Sequence, residues 1–333
     1  MSALRLRPAS AIRARKHPLA VAFAWLFEAT FAVALAHPFY ASIRGVYGAH
    51  PDGDLPLFSP DGLEIAELFM RSEGTTRALV ASSTWVLAIA VVLGHVRLGA
   101  LVAALALERE DELPLSGRDA LGRGAARLFP LLGVQALGAL FGGALLALGM
   151  GLAGKLHAHL LQTSIDARAD RWAIAVVVPF VLLALTTSVA LDLARVGVVV
   201  TPGRARDGLR LGLRAFAKRP GAAIAGWSAR AALGVVPVVL AAIVASRLGG
   251  RPGASLALVL AAHQIAIAPR VALRASWLAH AARIVAASRP AATSAAAPAA
   301  ADASPEPKAQ PEGGADGGDA AAENASTSAL ATR

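Results

Sequence analysis

The residues best suited to chemistry in this chain are charges that interrupt long apolar runs. Glu28 lies in the run 18–39, Arg97 in 78–107, Asp192 and Arg195 in 172–200, and Arg230 in 222–246. His95 lies in the second run, and His263 and Gln264 in a sixth, 253–287, which becomes amphipathic after Pro269 at Arg270, Arg274 and Arg283. A charge at mid-membrane costs a few kcal/mol on insertion scales, so it pairs, faces a cavity or marks a path. The chemistry on offer is ion pairing, anion recognition by guanidinium groups, or proton relay.

Covalent and metal chemistry lack comparable support. There is no Cys, so disulfides, thiolate metal sites and Cys nucleophiles are excluded. No His-Glu-x-x-His, no Gly-x-Ser-x-Gly and no paired carboxylate occurs within the runs, and Gly117–Gly124 lacks the Lys-Ser/Thr of a phosphate loop. On a helix His157 and His159 point apart, and His37, His50, Asp52 and Asp54 have no ligand spacing. No catalytic, cofactor or metal residue is therefore expected. The hydrophilic connections are too short for a soluble catalytic domain, so any catalysis would take place within the apolar part. Ser82-Ser83-Thr84 and Thr186-Thr187-Ser188 either line a path or bond their own backbone, and Gly138 with Gly142 gives a small-xxx-small face for packing.

The elements that position these residues follow from composition. Of 333 residues 56% are hydrophobic and only 16% charged, with mean hydropathy +0.57. Soluble domains are about one quarter charged. About 20 apolar residues cross a bilayer as a helix. These runs, with a charge-free one at 128–154, are too long and too rich in Ala and Leu for barrel strands. The expected fold is all-α, a polytopic transmembrane helix bundle of about six spans. Residues 1–17 form a basic arm, and 288–333 form a tail of Ala, Pro, Gly, Ser, Asp and Glu too poor in large apolar groups to fold.

Lys and Arg in the connections set orientation. Arg5, Arg7, Arg13, Arg15 and Lys16, then Arg118, Arg123 and Arg127, then Arg204 to Arg219 alternate with sparser charge on the other side, which predicts both termini in the cytoplasm. The net charge is +10. The basic residues fall between runs and form no single patch. Anionic lipids at the cytoplasmic face are therefore the expected partner, and nucleic acid is not. A membrane-protein partner remains open. The arm, the first run and Ala34-Leu35-Ala36 also match a cleaved signal, but the run is long for one and holds Glu28. The connection 40–77 carries turn signals and a segment, Gly62 to Arg71, expected as a short surface helix, either a lid or a loop cap.

Three hairpins repeat through the chain. Pro18, Pro130 and Pro220 open the odd runs; Arg97, Arg195 and Arg270 come late in the even ones. Arg118-Asp119-Ala120-Leu121 before run three matches Arg206-Asp207-Gly208-Leu209 before run five. Glu28 and Arg230 each stand ten residues after their proline, about 15 Å into the span. An ion pair between them is expected, either as an assembly clamp or as part of a transport route. Arg97, Arg195 and Arg270 either converge on a lipid phosphate at the cytoplasmic leaflet or snorkel separately.

The stretch Asp192-Leu193-Ala194-Arg195-Val196, the Arg206-Asp207-Gly208-Leu209 helix and Pro220 resemble bacterial six-span membrane domains of unknown function, including the one found with some glycerophosphoryl diester phosphodiesterases. The resemblance covers about spans two to six and implies architecture, since no phosphodiesterase domain is present. The expected function is a non-enzymatic inner-membrane bundle that engages lipid or a partner. A small transporter using Glu28, Arg230 and Asp192, and an intramembrane lipid enzyme, are the alternatives.

Overall fold

The computed structural model describes residues 4–47, 73–109, 114–162, 166–248 and 254–289. The Gly62–Arg71 helix, the His50, Asp52 and Asp54 group, and the tail beyond Arg289 lie outside these residues.

Six long helices form the bundle: α1 (Pro18–Tyr47), α2 (Glu73–Ala106), α4 (Leu128–Leu161), α5 (Asp166–Val200), α7 (Pro220–Leu248) and α8 (Ala254–Ser288). Two short amphipathic helices, α3 (Gly117–Ala126) and α6 (Ala205–Lys218), precede α4 and α7. The fold is an all-helical polytopic membrane bundle. Pro18 and Pro220 occupy the first helical position, where a missing N–H costs nothing and the fixed φ is already helical. Ser116 caps α3, its hydroxyl accepting from Asp119 N. Consecutive long helices pair as hairpins: α1 with α2, α4 with α5, and α7 with α8.

Among the described residues five helices (α1, α2, α4, α5 and α7) are long and apolar enough to cross a membrane. In four of them no more than 11% of the apolar window is buried within the protein. Each large apolar side chain left in water would forfeit about 1.5–3 kcal/mol, so these helices require an apolar solvent. The sixth expected span lies in α8, which does not break at Pro269 but continues as one helix to Ser288. α8 is the most buried of the long helices in its second half, where Val271, Ala275, Trp277, Leu278, Ala282 and Val285 join the core.

That core occupies one end of the bundle, where the basic connections lie. It is closed by backbone-to-backbone contacts that only glycine permits. A Cβ on Gly124 of α3 would lie 2.2 Å from the Val96 carbonyl of α2, and one on Gly212 of α6 would lie 2.3 Å from the Leu193 carbonyl of α5. Gly124 and Gly212 each stand five residues after their Asp, so the two helices repeat in structure as they do in sequence. The small-xxx-small face behaves differently. A Cβ on Gly138 would meet Leu191, whereas Gly142 faces open space.

The basic arm is docked at this same end. Its strand β1 (Leu4–Leu6) pairs antiparallel with β2 (Leu107–Arg109), placing Arg5 opposite Glu108. Ile12 is fully buried. Arginines also close α5, whose last carbonyls have no partner within the helix. Arg123 donates to Val199 O and Thr201 O, and Arg127 to Thr201 O and Gly203 O. The segment after α5 turns through Gly203, at φ 90°, a conformation that favours glycine.

Candidate functional site: an arginine-rich intramembrane cavity

Two acids organise the polar interior. Asp192, only 2% exposed, takes four hydrogen bonds. Arg195, one turn along α5, donates at 2.6 Å; Arg274 of α8 donates twice, at 2.5 and 2.8 Å; and Trp277 donates through Nε1 at 2.8 Å. Arg195 also donates to Gln135 of α4 at 2.6 Å. One carboxylate thus ties α5 to α8 and, through Arg195, to α4. Burial makes the geometry necessary, because a buried charge is tolerated only when paired and hydrogen-bonded.

Glu28, the second acid, bonds Arg97 of α2 at 2.5 Å. Arg97 also donates to Ala24 O and lies over the Phe27 ring. The pair expected between Glu28 and Arg230 is replaced by this one. α8 packs against both α1 and α7, Arg274 of α8 is taken by Asp192, and α2, paired with α1, brings Arg97 to Glu28. Arg230 instead donates to Ser276 Oγ at 3.0 Å and to Gly226 O at 2.6 Å. The shared depth read from the two prolines still brings Glu28 and Arg230 to one cavity, of about 690 Å³, with Arg97, Arg270 and Arg274. A smaller cavity, about 240 Å³, shares Glu28, Arg97 and Arg274 and adds His95, Gln135 and Arg195.

Of the three arginines expected at one level, Arg97 and Arg195 border the smaller cavity, and Arg270 borders the larger one only. Helix register explains the separation. In the α7–α8 hairpin Arg230 meets Ser276 and Gly226 meets His280. In the α4–α5 hairpin Gly138 meets Leu191 and Gln135 meets Arg195. Measured from Pro130 and Pro220, the level of Arg195 falls at Ala281, close to Arg283, and Arg270 lies about 11 residues deeper, about 16 Å along the helix. The helix passes straight through Pro269, and its amphipathic half begins there, as the run 253–287 predicts.

The remaining polar residues serve local structure. The His95 ring contacts its own backbone at Val91 O, 2.6 Å away. Ser82, Thr84, Thr186 and Thr187 each donate to a carbonyl three or four residues back. Gln264 keeps a buried Oε1 without a partner, and His263 is exposed in the same half of α8. His157 contacts Asp170 at 2.9 Å where α4 meets α5. Among the described residues no three His, Asp or Glu side chains cluster as metal ligands would.

Arg274, Trp277 and Ser276 were visible in sequence only as part of an amphipathic stretch. Their signal was the helical spacing of Arg270, Arg274 and Trp277, which sets them along one side of α8. Around the two cavities five guanidinium groups (Arg97, Arg195, Arg230, Arg270 and Arg274) answer to two carboxylates, Glu28 and Asp192. The site carries an excess of three positive charges. The chain matches no protein-family model, no curated protein and no solved structure.

Proposed function

We propose that this membrane protein binds an anionic amphiphile, bearing a phosphate or a carboxylate, in the 690 Å³ cavity, and does so without covalent chemistry. One observation carries the proposal: Arg230 and Arg270 border the cavity with no carboxylate partner among the described residues. An arginine at helix centre costs about 2.5–3.5 kcal/mol on insertion scales. Two such groups are kept where a bound anion would offset the cost. Guanidinium forks suit phosphate and carboxylate oxygens, and Trp227, Val235 and Val238 supply an apolar wall for the rest of the ligand. The chain crosses the cytoplasmic membrane six times in this proposal, with its basic end in the cytoplasm.

Native mass spectrometry of the protein released from lipid tests binding. R230Q/R270Q should retain anionic amphiphile at least tenfold less than the parent, since hydrogen bonds to charged groups contribute about 1.5–3 kcal/mol each. Equal retention would sink the proposal. Topology has its own test, made clean by the absence of Cys. Single cysteines at Ser116, Gly203 and Ala287 should react with an impermeant maleimide from the cytoplasmic side only, and one at Gln162 from the other side only. A cysteine at Ala287 reacting from the same side as Gln162 would remove the sixth crossing.

A transport role has one observation in its favour. The two cavities share Glu28, Arg97 and Arg274, so the Glu28–Arg97 pair stands between them. Anion flux into proteoliposomes that E28Q alters would support it.

A further inference from the structure

A second groove lies between α1 and α8, at the basic end and on a different face of α8 from the cavity. It encloses about 730 Å³. Ala268, Ala272, Ser276, Ala279 and Arg283 follow one another three or four residues apart, so small side chains form a trough along one helical stripe. Val21 and Trp25 of α1 form the facing wall, and Arg13 and Arg15 of the arm lie at its basic end beside Arg283. Among the described residues no acidic side chain lines it.

Its length fits one kind of occupant. From Ala268 to Arg283 is 15 residues, about 22 Å of helix. One leaflet, headgroup included, is about 20–22 Å thick. The apolar trough therefore matches an acyl chain, and the three arginines fall at the level of its phosphate. Two buried donors in the walls support the match: Trp25 Nε1 and Arg283 Nε have no hydrogen-bond partner among the described residues. Trp25 stands seven residues beyond Pro18, about 10 Å deeper, where a glycerol ester carbonyl could accept from the indole.

We propose that this groove holds one anionic glycerophospholipid of the adjoining leaflet, its phosphate on Arg13, Arg15 and Arg283, its chain along the Ala268–Ala279 trough, and an ester carbonyl on Trp25. The site lies on another side of α8 from the cavity and is lined by different residues, the two touching where Arg230 bonds Ser276.

The test uses full-length protein and native mass spectrometry, titrating phosphatidylglycerol, phosphatidylcholine and inorganic phosphate. The parent should retain one phosphatidylglycerol at least tenfold more tightly than phosphatidylcholine, and phosphate in excess should not displace it. R13Q/R15Q/R283Q should weaken this binding at least tenfold and W25F about threefold, whereas R270Q, which alters the cavity alone, should leave it unchanged. Unchanged binding in the triple variant, or equal retention of the two lipids, overturns the proposal; so does full displacement by phosphate, which would leave only an anion site. Should the triple variant fail to fold, A272F, which fills the trough and keeps every arginine, should still expel the lipid. Undiminished phosphatidylglycerol on folded A272F would overturn the assignment equally.

Discussion

The two ends of this bundle are built differently. At the basic end Leu105, Val198, Ala275 and Leu278 are buried, α3 and α6 press glycines onto the spans, and arginines cap α5. Toward the other end the same helices show Trp85, Leu140, Leu182 and Val235 on their surfaces. The cause is solvent. Where a helix meets water, the hydrophobic effect draws apolar side chains inward. In lipid that drive vanishes, and close packing and polar contacts must hold helices together. The arginine cavity lies where one regime gives way to the other, between buried Trp277 and exposed Val235. A cavity there can be lined by charge without a water-filled core around it, because the packed half anchors the helices that carry it.

The comparison breaks most severely at Asp192. D192N removes the buried carboxylate, 2% exposed, on which Arg195 and Arg274 converge. Removing one partner of a buried pair costs about 3–5 kcal/mol, so thermal unfolding in detergent should show the variant barely folded. E28Q, at a carboxylate 37% exposed to the cavity, should cost about 1 kcal/mol or less, because partly exposed pairs are screened. Equal losses would mean that Asp192 is not the organising acid.

The glycine contacts come next. G124A and G212A each place a methyl against backbone that cannot swing aside, and overpacking of this kind costs about 1–3 kcal/mol. G142A meets nothing within 4 Å and should be neutral or slightly stabilising, since Ala exceeds Gly in helix propensity by about 1 kcal/mol. A scan of melting temperatures over these three variants separates the packed half from the splayed one. Similar shifts in all three would erase the distinction.

How much of this was legible in the sequence depends on whether a contact is local. Asp192 with Arg195 was readable because one helix fixes their spacing. The opening prolines, the long helices and the kinship of α3 with α6 were readable from period and repeat. Partner choice across helices was not. Glu28 had several arginines at plausible depth, and the order in which helices pack, which no periodicity encodes, gave it Arg97. Arg274 with Asp192 is the same kind of contact, set by how α8 turns against α5. The docking of β1 on β2 was hidden because three residues of strand leave no pattern, and residues 1–17 read simply as a basic arm.

The arm gives a smaller effect, confined to the basic end. Arg7 Nη1 lies 2.6 Å from His17 Nε2. Arginine can only donate, so Nε2 must accept and the ring is neutral. Burial first, then the charges of Arg7 and Lys16, lower the His17 pKa below its ordinary 6.5. A folded pKa below the unfolded one means that the unfolded arm takes up protons first. The docked state is therefore fully favoured above pH 6.5 and loses ground as pH falls through the folded value. Hydrogen exchange over residues 4–16, taken relative to the intrinsic amide rate, should quicken as pH falls from 7 to 5 in the parent. In H17Q, where an amide oxygen can accept from Arg7 at any pH, that acceleration beyond the intrinsic rate should disappear. The same acceleration in H17Q would assign the pH response elsewhere.

The smallest effect belongs to the far end of α4 and α5. His157 and Asp170 join the two helices there, with 35% and 63% of their side chains exposed. An exposed pair contributes about 0–1 kcal/mol, and much of the attraction requires a protonated histidine. D170A should therefore shift the melting temperature by less than any variant at the basic end. The α4–α5 hairpin keeps its own apolar contacts, such as Gly149 against Phe180, and these do not depend on charge. If D170A rivalled G124A, the splayed half would be held by its polar tips, and the solvent account of the two ends would fail.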